Sequence, residues 1–97
     1  MGHLHYGSPA TSFEIDDRTL THVELVVLAK LRRNEAFALL IEGDDGARER
    51  IWINPSATLR FSFDGPVAEI NREWLELLID TANSASGMRI LPENATA

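Results

Sequence analysis

The sequence contains no cysteine in its 97 residues. Disulfides, thiolate metal sites and thiol catalysis are therefore excluded. Lysine occurs once, at Lys30, and nine basic side chains stand against fifteen acidic ones, for a formal net charge of −6. A surface of that sign repels nucleic-acid phosphates and anionic lipid headgroups. Long apolar runs are missing. The apolar stretch Leu25 to Ala29 is far too short to span a bilayer. The opening Met1-Gly2-His3-Leu4-His5 has neither the positive nor the apolar region of a secretory signal, so a cytoplasmic protein without membrane partners is expected. There is no Gly-x-Ser-x-Gly elbow and no His-Glu-x-x-His helix, and the acidic segment Gly43-Asp44-Asp45-Gly46 is the opposite of a phosphate loop. No cofactor is expected.

What is present suits a folded domain. Apolar residues make up 44% of the chain, enough for one modest core. The domain is placed at residues 1–92, with 93–97 read as a frayed polar tail.

Short strands are expected at 2–6 and 12–15, separated by the turn cluster Gly7-Ser8-Pro9. A helix follows over about 18–33, capped by Asp16 or Asp17, with Lys30, Arg32 and Arg33 in its last turn. Leu20, Val23, Val27, Leu28 and Leu31 form its apolar arc, widened by Leu25 and Val26. Arg18, His22, Arg32 and Arg33 fall roughly opposite, and Glu24 lies inside the arc. Strands at 35–42 and 48–54 flank the turn at 43–46, and 58–63 alternates most cleanly. A second helix runs over about 72–84, capped by Asn71, with Ile70, Trp74, Leu77, Leu78 and Thr81 inward. Gly87 stops it, and 88–91 is a last short strand. The order ββαβββαβ, with tight turns between central strands, predicts an α+β domain: a mainly antiparallel sheet with two helices on one face.

Four groups of residues invite chemistry. Asp16, Asp17, Arg18 and His22 resemble an acid–base cluster, but a helix start places them as cap and solvated face. His3 and His5 share a strand face, yet a zinc site needs a third and usually a fourth ligand. Glu24 is either a buried carboxylate or one that reaches solvent or an arginine. Arg18, Lys30, Arg32 and Arg33 are candidate phosphate contacts, against the simpler role of complementing the helix dipole.

The most informative inference concerns packing. Phe37, Leu39, Ile41, Ile51, Ile53, Leu59, Phe61 and Phe63 suffice to cover both helices. The opposite face then holds Ala36, Ala38, Leu40 and Trp52, flanked by Arg50 and Arg60. A contiguous apolar patch with a charged rim predicts an interface, with a second copy or another protein as partner. The N-terminal strands or the tail are the alternative cover. Two functions compete with a non-enzymatic interaction module. One is an accessory role in nucleic-acid metabolism through the four basic residues. The other is a small ligand binder or enzyme using Asp16, Asp17 and Glu24.

The segments "MGHLHYG", "IDDRTLTH", "KLRRNEAF", "IWINPSATLRFSFDGP" and "NREWLELLIDTANSASGMRI" together resemble a family of roughly 100-residue actinobacterial proteins of unknown function. Members of that family are often labelled "ATP-dependent DNA ligase". Nucleotidyltransferase ligases carry Lys-x-Asp-Gly around the adenylated lysine. The lysine here reads Lys30-Leu31-Arg32-Arg33, so the resemblance carries over no catalytic residue and implies no self-contained ligase.

Overall fold

The computed structural model describes residues 1–43 and 45–93. Asp44, within the expected turn at 43–46, and residues 94–97 of the expected tail lie outside the described residues. The elements are β1 (Gly2–Tyr6), β2 (Thr11–Ile15), α1 (Asp17–Arg32), β3 (Phe37–Glu42), β4 (Arg48–Ile53), β5 (Leu59–Ser62), α2 (Arg72–Ala82) and β6 (Met88–Arg89). The α+β class and the order ββαβββαβ are those expected from the sequence.

The strands divide between two three-stranded sheets, ordered β2-β1-β5 and β4-β3-β6. This departs from the expected single sheet. The reason lies in the segment between β4 and β5. Pro55 has no amide to give a ladder, and Asn54 turns its side chain back to accept from the Ser56 amide. The chain leaves the second sheet there, and β5 pairs with β1 instead, His3 opposite Ser62 and Tyr6 opposite Leu59. β6 then joins β3 in parallel, Leu39 opposite Met88. The other pairings are antiparallel.

Close approach of the first sheet to α1 requires glycine at position 2. A Cβ there would stand 2.7 Å from the Ser62 carbonyl oxygen and 2.7 Å from Asp17 Oδ1.

The core gathers Leu4, Leu20, Val23, Val27, Leu39, Ile53, Leu78 and Met88, all fully buried, around Trp74. The inward face of α1 is rotated from the arc drawn on sequence alone. Val26 and His22 are buried, whereas Leu25 and Leu28 are 40% and 43% exposed. His22, expected outside, is fully buried. Burial of an imidazole demands partners for both nitrogens, and both are supplied. Nδ1 donates to the Arg18 carbonyl at 2.8 Å, and Nε2 accepts from the Asn71 amide at 2.9 Å. A carbonyl only accepts and an amide only donates, so the Nδ1–H tautomer is fixed. The ring also packs on Trp74, centroids 4.4 Å apart. Rotating the arc moves Glu24 to its margin, where partial burial still pushes its carboxyl above the ordinary range.

The first residue of the expected tail is anchored. Glu93 accepts from Arg18 through both oxygens, at 2.9 and 2.7 Å, and from Asn71 Nδ2 at 2.9 Å. Arg18, and next Asn71, hold the Glu93 carboxyl down to about 2, from an ordinary 4.5. Because the folded value is depressed, this clasp stabilises the fold fully above about pH 4.5 and is lost as pH falls toward 2. Glu93→Gln should lower the melting temperature at neutral pH. The gap from the parent chain should close as thermal melts are repeated down to about pH 2. A gap independent of pH would refute the clasp.

Candidate functional site

The outer face of the β4-β3-β6 sheet is built by alternation. Phe37, Leu39, Ile41 and Ile53 turn into the core. Their neighbours in the chain therefore turn outward, and the register sets Ala38 opposite Trp52, Leu40 opposite Arg50 and Glu42 opposite Arg48. On the other side of β3, Leu40 stands opposite Arg89. Trp52 lies near the end of the edge strand β4 and is 60% exposed. Its backbone is not loose: the Tyr6 hydroxyl donates to the Trp52 carbonyl, tying β4 to the end of β1. A rigid strand thus presents a large aromatic ring to solvent.

Beside the ring lies a shallow cleft of about 220 Å³, walled by Ala36, Ala38, Ala82, Ser84, Ala85 and Gly87. Small side chains make it, because β6 and the end of α2 approach β3 closely. Gly87 has φ 88°, and a Cβ on it would meet the Ala38 carbonyl oxygen at 2.9 Å. Arg48, Arg50 and Arg89 are exposed on the same face. Among the described residues, none of the three meets a carboxylate at ion-pair distance.

The structure brings together Ala36, Ala38, Leu40, Arg50 and Trp52. Arg60 stands apart, on β5 in the other sheet, opposite His5. Arg48 and Arg89 were missed from the sequence. Arg48 was visible in the period-two series Arg48, Arg50, Trp52; Arg89 was not, since its place depends on the parallel pairing of β6 with β3.

The basic residues proposed for phosphate are spread along α1. Arg18 grips Glu93 and also donates to the Glu69 carbonyl. Lys30 donates to Glu35 at 3.1 Å and to Asn83 Oδ1 at 2.6 Å. Arg32 and Arg33 are exposed at the C-terminal end of the helix. Fourteen residues of helix separate Arg18 from Arg32, roughly 21 Å.

Asp16 and Asp17 diverge. Asp16 caps α1 by accepting from the Thr19 amide at 3.1 Å. Asp17 turns to the other side and accepts from the Asp64 and Gly65 amides, at 3.1 and 2.6 Å, fixing the loop after β5. Glu24 lies two helical turns further on.

His3 and His5 share the outer face of the first sheet, rings 6.1 Å apart. His5 lies between two hydroxyls, with Nδ1 at 2.8 Å from Ser12 Oγ and Nε2 at 3.1 Å from Ser62 Oγ. Desolvation, then the charges of Arg60 and His3, push its imidazole below the ordinary range. His3 lies 3.7 Å from Glu14. Among the described residues, no three His, Asp or Glu side chains converge as a metal site would require. No helix among them is long and apolar enough to cross a membrane.

Residues 1–93 match the model of a family described as "Domain of unknown function (DUF7882)", and the chain belongs to that family. No curated protein and no solved structure matches it.

Proposed function

We propose that this member of the family is a small, non-enzymatic interaction module that binds a protein partner on the outer face of β3 and β4. The exposure of Trp52 carries this reading. A tryptophan held outward on a rigid strand, next to a cleft and with arginines further along the same sheet face, has the composition of a binding hot spot. Because the ring is 60% exposed, burying it on association removes at most roughly 150 Å² from water. At about 25 cal/mol per Å² that is up to roughly 4 kcal/mol before ordering costs. Preorganisation by the Tyr6 bond keeps those costs low.

The nucleic-acid alternative draws no support from α1, where Arg18 and Lys30 already hold carboxylates. Likeness to actinobacterial chains labelled as ligases adds no residue to either reading.

The test is the size of the protein in extracts of the cells that make it. The parent chain should elute in an assembly larger than its own 10.8 kDa. Trp52→Glu should release it as a monomer while leaving the melting temperature unchanged. An elution position indifferent to Trp52→Glu would refute the reading.

A further inference from the structure

We infer that the partner surface for the Trp52 face is the outer stripe of α2 on a second copy of this chain. This deepens the reading above and rests on it. The chain is acidic overall, yet three exposed arginines, Arg48, Arg50 and Arg89, collect on one sheet face; Glu42 stands opposite Arg48, but no carboxylate among the described residues comes within ion-pair distance of the three. The complementary set stands on α2. Glu73, Glu76 and Asp80 are exposed and recur at helical spacing, and none meets a cation at ion-pair distance among the described residues. Ile79, 38% exposed, borders this stripe on one side together with the exposed Arg72. The two surfaces are therefore of opposite predominant charge, each beside an exposed apolar side chain.

The dimensions agree. Glu73 to Asp80 spans roughly 10 Å of helix, and Arg48 to Trp52 roughly 13 Å of strand. One chain cannot satisfy itself. α2 packs Trp74 and Leu78 into the core that the inner face of β3 also lines, so its acidic stripe and the Trp52 face point to opposite sides of the molecule. Contact must run from the sheet of one copy to the helix of the next, a heterologous interface that closes into a ring or continues as a chain. Charge complementarity also sets register and rejects a sheet-to-sheet pairing, which would oppose arginine to arginine.

Two blocked variants test this by sedimentation. Arg48→Glu with Arg50→Glu reverses the sheet face. Glu76→Arg with Asp80→Arg reverses the helix, and a cation in the last turn suits the dipole there. Should either reversal unfold the chain, Arg50→Gln and Glu76→Gln replace them. The parent chain should self-associate, about tenfold more weakly at roughly 0.5 M than at roughly 0.05 M NaCl, as screening requires. Each variant alone should be monomeric, and an equimolar mixture should assemble again, because each intact surface meets its complement and the two reversed surfaces complement each other. If the helix variant still assembles and the sheet variant does not, α2 is not the occupant, although the Trp52 reading stands. A monomeric parent chain overturns the inference, as does Trp52-dependent binding of a single-stranded oligonucleotide by that monomer. Assembly untouched by either variant overturns both.

Discussion

Trp74→Ala should remove roughly 3–5 kcal/mol of stability, the range for deleting a buried large aromatic. A domain of this size has in total about 5–15 kcal/mol, so the variant should sit near the edge of folding. Three losses combine. The ring is 2% exposed and fills the centre of the core. It forms one wall of the His22 site, at 4.4 Å between centroids. Its Nε1 donates to the Leu91 carbonyl at 2.8 Å, so removal leaves that acceptor without its partner and loosens the segment after β6 that Glu93 pins. Trp52→Ala should differ sharply, changing stability by no more than about 0.5 kcal/mol, as exposed positions do. Urea denaturation of both variants measures the contrast. Equal losses would contradict the assignment of one tryptophan to the core and the other to the surface.

Gly87→Ala should be nearly as damaging, although it adds a single methyl group. The left-handed backbone there, φ 88°, penalises any Cβ by about 1–2 kcal/mol. The new carbon would also stand 2.9 Å from the Ala38 carbonyl oxygen and 3.0 Å from the Ala38 Cβ. That neighbour cannot yield easily, because β3 is held by ladders on both sides. Overpacking of this kind adds about 1–3 kcal/mol, for a sum of roughly 2–5 kcal/mol. β6 would relieve the clash by parting from β3, so exchange of the amides that bridge β3 and β6 should accelerate more than exchange in β1. A variant with the parent's denaturation midpoint would show that β6 does not approach β3 as described.

These two positions mark what the sequence could and could not reveal. Trp52 was readable as outward-facing because strand alternation is local: Ile51 and Ile53 inward force Trp52 outward. The caps were readable for the same reason, since Asp16 and Asn71 serve amides only three residues away. The two-sheet division was not readable. It depends on His3 meeting Ser62 and Leu39 meeting Met88, pairs separated by about fifty residues or more of chain, and no local pattern encodes such a choice. The burial of His22 was hidden likewise. Helical periodicity placed it outside, and its reasons for being inside, the Asn71 amide and the Trp74 ring, come from α2 and its cap. Glu93 looked like tail because its partner Arg18 lies 75 residues earlier. Arg89 was lost to the candidate face with the parallel pairing that positions it.

The central claim, that the face around Trp52 is covered by protein in the cell, is met most directly by cross-linking at its border. A photoreactive side chain at the exposed position of Ala36, in the wall of the cleft, should give covalent protein adducts on irradiation of intact cells. Those adducts should disappear when Trp52 is also changed to Glu. The same group at Val67, which is 96% exposed on a loop, should give none that depend on Trp52. Adducts at Ala36 that persist in the Trp52→Glu chain, or none at all, would contradict the account.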